Sequence, residues 1–483
     1  MYILAIDQGT TGTTAIIFDA KGQIVAKAYQ EFRQIYPKPG WVEHDAEEIW
    51  QTVISTVNKA INKCPGDILA IGITNQRETT VIWDKTTGKP IYNAIVWQCR
   101  RTAEICAKLE AHKEIIHQKT GLPLDAYFSG TKIKWLLENI NYQNTQNLLF
   151  GTIDTWLIWK LTNGQVHATD YTNASRTLLF NIKEIKWDPE LLSAFKIPAS
   201  LLPEVKKSID FYGNIETINA IKGKPILGVA GDQQAALFGQ ACFQEGQVKN
   251  TYGTGCFVVM NTGQKLIHSQ QGLASTLAVD QIGNPCYALE GSIFIAGAAI
   301  QWLRDELKIL NNAKESEKMA QSVKDNGGVY LVPAFVGLGA PHWDMNVRGA
   351  LLGLTRCTNR NHIVRAALEA MAYQTQDVLS VMAQESQHNI DSLMVDGGAV
   401  ENDFLLQFQA DMIGKQVLRP KIIESTALGV GLMAGLKSGL WQNSQELAKV
   451  KTIDKIFSPK MDSKVRENLI SGWQQAIRQV KTR

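Results

Sequence analysis

The chain has 483 residues, 45% hydrophobic and 20% charged, with a formal net charge of +3. That length exceeds the roughly 250–300 residues at which one hydrophobic core stops growing, so two domains are expected, and the ordinary composition excludes a disordered or fibrous chain. So small a charge, with no run of Lys and Arg interleaved with aromatics, argues against nucleic acid as a partner.

No basic region precedes an apolar one at the N-terminus. The most apolar stretches, SIFIAGAAIQWL and ALGVGLMAGL, fall well short of the ~20 residues of a membrane span. Seven cysteines without CxxC spacing indicate neither a disulfide framework nor a zinc site. A soluble, cytoplasmic protein is expected.

In chain order, YILAIDQGTTGTTAIIFDAKGQ predicts a strand over 2–6, a tight turn over 7–12, a strand over 14–19, a polar turn and a third strand from Ile24. DAEEIWQTVISTVNKAI carries apolar residues at helical spacing, and ILAIGIT and TTVIWD read as strands. The opening plan returns at residues 247–269, QVKNTYGTGCFVVMNTGQKLIHS: strand, Gly-Thr-Gly turn, strand, polar turn and strand KLIHS. VPAFVGLGAPHWD predicts a closing loop and RNHIVRAALEAMAYQTQDVLSVMA a helix. SLMVDGGAVENDFLLQFQADMIGKQVLRP predicts strand, double-Gly turn, helix with Phe404, Leu405 and Phe408 on one face, and strand. The restart predicts an α/β fold in two related halves, residues 1–245 and 246–483, around a central cleft.

The turns suggest what the cleft holds. Gly9, Thr10, Thr11 and Gly12 offer N–H and hydroxyl donors to phosphate oxygens, and Asp7 at the strand end suits a divalent cation held through water. TYGTG, residues 251–255, offers the same donors from the other half. Either turn alone fits an ordinary hairpin. Two at matching places, with DGGAVEN downstream, favour a phosphate site.

These motifs resemble the FGGY carbohydrate kinases, within the wider group sharing the actin ATPase fold, from residue 1 to about residue 475. The resemblance implies two actin-like, ribonuclease H-like ATPase domains that use ATP and Mg²⁺. It implies that Thr10, Thr11 and Gly12 contact ATP phosphates, that Thr254 does so from the second domain, and that Gly297 and Gln301 contact the nucleotide. Gly398 and Asn402 match adenosine-site positions.

A small polyol must be gripped at adjacent hydroxyls by polar groups and shielded along its carbons by aromatics, with a carboxylate near the reacting oxygen. Arg77 and Glu78 follow a strand, where α/β ligand sites lie, although a solvated surface couple has the same sequence. Trp97, Tyr127 and Phe257 could each be core residues. Asp232, with Gln233 beside it, opens a helical pattern and could be its N-cap. In these contexts, however, all resemble the branch of the family that phosphorylates glycerol to sn-glycerol 3-phosphate. There Trp97 and Phe257 cover the carbons, Tyr127 donates to a hydroxyl, Gln233 binds substrate and Asp232 is the general base. Asp7 is implied in catalysis and in holding Mg²⁺ through water, and a homodimer or homotetramer is expected. A kinase of a larger sugar such as xylulose or gluconate, and an actin-fold ATPase without a small acceptor, are the alternatives.

The sequence departs from that branch in places. Gly12-Thr13-Thr14 stands where Ser-Ser-Arg is common, so a cation expected at Thr14 is missing. Asp403 adds negative charge beside Asn402. The segment before Asp232 is shorter than the loop through which some members bind fructose 1,6-bisphosphate, and Gly223 stands where its Arg falls. Arg100 and Arg101 read as an exposed helix start, and His342 receives no role.

Overall fold

In the computed structural model, which describes residues 1–481, β1 (Tyr2–Gln8), β2 (Gly12–Phe18) and β3 (Ile24–Glu31) form an antiparallel meander. Helix α1 (Ala46–Ile61) follows, capped by Asp45, whose carboxylate accepts from the N–H groups of Glu47 and Glu48. Next come β4 (Ile68–Asn75), parallel to β1, and β5 (Ile226–Gly231), parallel to β4. The sheet order is β5-β4-β1-β2-β3. Helix α2 (Asp232–Gly239) begins directly after β5.

The second sheet repeats the plan. It begins with β6 (Val248–Tyr252), β7 (Cys256–Gly263), β8 (Ala274–Val279) and β9 (Pro285–Ile293). Helices α3 (Gly297–Asp305) and α4 (Arg360–Ser386) come next. The chain continues through β10 (Ser392–Asp396), α5 (Asp403–Ile413), β11 (Gln416–Pro420), α6 (Ser425–Lys437) and β12 (Ile453–Phe457). The order is β8-β9-β7-β6-β10-β11-β12, an antiparallel β6-β7-β9 meander with β10 and β11 parallel beyond β6. The expected strand KLIHS does not form. The third place in the meander is taken by β9, in which Glu290 interrupts an apolar run that would otherwise read as a core strand.

Alternation along the strands decides which helix covers which face. Leu4, Ile6, Ala15, Ile17, Ala26 and Ala28 pack under α1. Ile3, Ala5, Ile16 and Phe18 face the other way, onto α6. Burying one such side chain contributes about 1.5–3 kcal/mol, so a one-residue register slip would be costly. Helix α2 packs on the second sheet and α6 on the first, and the two helices pack on each other between the sheets. A Cβ on Gly429 would lie 1.9 Å from the Ala235 carbonyl oxygen, so backbone meets backbone there. This contact sets the N-terminal end of α2 between the halves. All seven cysteines are unpaired, and no described helix is long and apolar enough to cross a membrane.

Candidate active site

The first glycine turn is oriented from behind. The Gly9 carbonyl accepts from Gln8 Nε2 and Gln76 Nε2 at 2.8 and 3.1 Å, the Thr10 carbonyl from Gln34 Nε2 at 3.0 Å, and the Thr11 carbonyl from the Phe32 N–H at 3.3 Å. Across a trans peptide the N–H points opposite to the C=O. The N–H groups of Thr10, Thr11 and Gly12 therefore face away from the domain body, as an anion site requires.

The second turn is built alike. The Gly253 carbonyl accepts from the Gly297 N–H at 3.1 Å, and the Thr254 carbonyl from the N–H groups of Ala296 and Ala298 at 2.8 and 3.1 Å. The N–H groups of Thr254 and Gly255 point outward in consequence. A Cβ on Gly297 would lie 2.6 Å from the Gly253 oxygen, so glycine is what lets α3 start so close.

Thr254, Gly297, Gln301, Gly398 and Asn402 line one cavity of about 610 Å³, with Ile300, Leu368 and Met371 as apolar walls. Asn402 also caps α5, accepting from the Leu405 N–H at 2.9 Å and donating to Ser316 Oγ at 3.2 Å. Asp403 does not leave net negative charge there. Burial alone would raise its carboxyl, but Lys455 and Arg419 hold it below the usual range.

Arg77 and Glu78 lie just past β4, and they are buried rather than solvated. Arg77 makes a bidentate pair with Glu290, at 2.6 and 2.9 Å. Its Nε stands 3.0 Å from Asp232 Oδ1, too poorly aligned for a hydrogen bond. Glu78, at φ +62°, accepts from Arg176 Nε at 2.6 Å, and Arg176 Nη2 reaches Glu290 at 2.8 Å. Arg77 Nε and Arg176 Nη1 are buried donors without a protein acceptor among the described residues. Such donors suit a ligand oxygen.

Asp232 is the first residue of α2 and not its cap, which is Gly231. Its Oδ1 accepts from the Gln233 N–H at 2.7 Å. Burial raises its proton affinity, while Arg77 and Lys249 oppose that rise. Lys249 also donates to Gln233 Oε1 and, at 2.8 Å, to Thr251 Oγ1. Burial lowers Lys249 to about 8, against the pull of Asp396 and Asp232.

The three aromatics converge on this polar end. Trp97 meets Tyr127 edge-on at 5.6 Å between ring centroids and Phe257 at 6.1 Å. Trp97 Nε1 donates to Thr10 Oγ1 at 2.9 Å, tying the aromatic group to the first turn. Asp7 stands at the end of β1, paired in register with Thr14. Burial, Glu424 and Asp232 raise its carboxyl to about 8, with Lys27 opposing them.

Arg176, Glu290 and Lys249 escaped the sequence reading. For Glu290 and Lys249 the signal was a charged residue inside a strand pattern, as in YALEGSI; Arg176, in the polar stretch TNASRT, carried none. Arg100 and Arg101 are also corrected. Arg100 pairs with Asp125 at 2.6 Å, and buried Arg101 stacks 3.9 Å over Trp41 and pairs with Glu43. His342 lies in the loop over the end of β9, 3.3 Å from Asp377.

Two outward-facing glycine turns from repeated halves, with a polar and aromatic group at one turn and a large cavity at the other, define a two-domain phosphotransferase of small hydroxylated acceptors. Residues 2–239 match the N-terminal domain of the FGGY family of carbohydrate kinases, and residues 248–438 its C-terminal domain. The chain belongs to that family.

Within it, the chain is similar to proteins named for one acceptor. It is 57% identical to glycerol kinase 2 of Thermotoga maritima, covering 99% of this chain and 98% of that protein. It is 58% identical to glycerol kinase of Carboxydothermus hydrogenoformans, covering 99% and 97%. The crystal structure of Plasmodium falciparum glycerol kinase with ADP superposes with a TM-score of 0.91 at 38% identity, covering 99% and 98%.

Proposed function

We propose that this chain phosphorylates glycerol, converting ATP and glycerol to ADP and sn-glycerol 3-phosphate. The observation that carries the reading is the Trp97, Tyr127 and Phe257 group hydrogen-bonded to the first turn and closed at one end by Arg77, Glu78 and Asp232.

Trp97 and Phe257 cover the carbons. Tyr127 and Arg77 Nε, which lies against Asp232 without an aligned hydrogen bond, donate to hydroxyls, Glu78 accepts from one, and Gln233 adds a polar contact. Asp232 takes the proton of the attacking hydroxyl: burial makes it a better acceptor than an exposed carboxylate, and Arg77 with Lys249 keeps it ionised. The N–H groups of Thr10, Thr11, Gly12, Thr254 and Gly255 stabilise charge on the transferred phosphoryl group. The nucleoside occupies the cavity beside Gln301 and Gly398.

Asp7 stands at the first turn and feels the negative charge of Glu424 and Asp232, so its carboxylate suits a cation. Among the described residues no three His, Cys, Asp or Glu side chains form a cage. Mg²⁺ would be held by Asp7 through water together with phosphate oxygens, and it would neutralise phosphate charge.

In this reading the domain of residues 1–245 carries the polyol pocket and first turn, and that of residues 246–483 the second turn and adenosine site. A cytoplasmic location and a homodimer or homotetramer belong to the same proposal, the latter tested by light scattering. The deciding test is ADP release with Mg-ATP over glycerol, dihydroxyacetone, xylulose, gluconate and no acceptor, with Asp232→Asn alongside. Glycerol-dependent turnover lost in the variant is expected; acceptor-independent hydrolysis, or preference for a five- or six-carbon acceptor, overturns the reading.

A further inference from the structure

One short buried segment bonds to three of the stretches that build the acceptor group. Tyr171–Ala174 is a single helical turn capped by Asp170, whose carboxylate accepts from the N–H groups of Thr172 and Asn173. Asn173 exchanges side-chain amide bonds with Asn75, the last residue of β4, at 3.0 and 3.1 Å, just before Arg77 and Glu78. Thr172 Oγ1 donates to Asp170 at 2.6 Å and accepts from the N–H of Gly231, the residue before Asp232, at 2.9 Å. The Thr177 carbonyl accepts from the Gly130 N–H at 2.7 Å, in the helix start that follows Tyr127.

Arg176 belongs to this segment and is buried with it. Its Nε donates to Glu78 Oε1 at 2.6 Å and its Nη2 to Glu290 Oε1 at 2.8 Å, while its guanidinium carbon lies 5.2 Å from the Phe128 ring centroid and 5.9 Å from that of Tyr127. Arg77 Nε stands farther from Glu78, at 3.8 Å. Other groups hold the Glu78 carbonyl: it accepts from the hydroxyls of Ser129 and Thr80 at 3.1 and 3.2 Å. The backbone of Glu78 and its carboxylate are therefore fixed independently, the carboxylate by Arg176. A carboxylate that accepts from a small hydroxyl must be aimed before the ligand arrives, and the planar fork of arginine can aim two carboxylates at once where an ammonium cannot.

We propose that Arg176 is a positioning residue for the acceptor: without touching it, Arg176 holds the Glu78 carboxylate at the angle from which Glu78 accepts a substrate hydroxyl. The competing account is a structural counter-charge for Glu78 and Glu290. The inference rests on the functional reading above, in which Glu78 meets the acceptor.

The test compares acceptors that differ by one hydroxyl: the KM of glycerol and the competitive inhibition constants of propane-1,2-diol and propane-1,3-diol in wild type, Arg176→Gln and Arg176→Lys, and Arg176→Lys again in a Glu78→Gln background. Arg176→Lys keeps the buried positive charge, so it carries the test if Arg176→Gln does not fold. Both variants should lose about ten- to a hundredfold in glycerol affinity, the range of a hydrogen bond to a charged group, with KM for ATP near wild type. The loss should be much smaller for the diol that lacks the hydroxyl Glu78 accepts, and Arg176→Lys should add little in the Glu78→Gln background. Equal losses on all three acceptors, or the full further loss in the Glu78→Gln background, overturn the proposal and leave a structural counter-charge. If wild type prefers an acceptor other than glycerol, the glycerol reading fails, and the same comparison with that acceptor and its deoxy analogues still decides Arg176.

Discussion

Trp97 donates from its indole nitrogen to the Thr10 hydroxyl at 2.9 Å while its ring meets Tyr127 and Phe257 edge-on. One side chain thus ties the Tyr127 and Phe257 rings to the first turn, and in the proposed function the two substrates are aligned through it. Trp97→Phe keeps an apolar wall and deletes the donor. A neutral hydrogen bond contributes about 0.5–1.5 kcal/mol, so kcat/KM should fall roughly three- to tenfold. The loss should appear in KM for ATP as well as for glycerol when each is varied separately. A change confined to glycerol would mean that the bond does not position the turn.

Glu290 is the shared counter-charge of Arg77 and Arg176, all three buried. Glu290→Gln keeps the shape and removes the shared counter-charge, leaving Arg176 with Glu78 and Arg77 with Asp232; breaking a buried pair costs up to about 3–5 kcal/mol. Burial would raise Glu290, but Arg176 and Arg77 hold it at about 2, against an ordinary 4.5. A carboxylate depressed in the folded state gives stability that is fully present above its unfolded value and lost as pH falls through the folded one. Wild type should therefore lose stability between pH 4.5 and about 2. Glu290→Gln should start lower at neutral pH and fall less over that window, as followed by urea denaturation. Parallel profiles for the two proteins would remove Glu290 from this role.

The repeated meander was legible because each begins with an apolar run broken by a glycine turn, a local pattern that needs no partner. The third strand of the second meander was not. KLIHS has strand composition but pairs with nothing, whereas β9, which takes its place, carries Glu290 where an apolar residue is expected. The same tertiary approach hid the network around Arg77. Arg77 was visible at a strand end, but Arg176 and Glu290 stand 114 positions apart and only folding joins them. The reading also placed Arg101 on the surface, since nothing local tells that Trp41 and Glu43 will enclose it. Local motifs place the donors of a site, and long-range packing supplies their counter-charges.

Lys249 bears on Asp232, the proposed base, through charge and on Gln233 through a hydrogen bond. Burial raises the proton affinity of Asp232, and Lys249, itself titrating only near 8, opposes that rise across the acid range. Lys249→Met removes a cation that favours the ionised carboxylate. The acid limb of the kcat profile should shift to higher pH, while the activity lost at neutral pH is partly recovered at alkaline pH. A variant with lower kcat and an unmoved acid limb would show that Lys249 acts only by holding Gln233.

Gly297 offers the sharpest separation of the two substrates. Its Cα approaches the second turn so closely that a Cβ would lie 2.6 Å from the Gly253 oxygen, and its N–H holds that carbonyl at 3.1 Å. Gly297→Ala must push the turn and α3 apart, which turns the Thr254 and Gly255 N–H groups away from the phosphates. Overpacking of this kind costs about 1–3 kcal/mol, and here it falls on the nucleotide side of the cleft. KM for ATP should rise about tenfold or more and kcat should fall, because phosphoryl stabilisation depends on the same N–H groups. Glycerol binding should change far less, since Arg77, Trp97 and Tyr127 belong to the other half and only Phe257 follows the second turn. The opposite split, with glycerol affinity lost and ATP affinity kept, would mean that the second turn is not a phosphate contact.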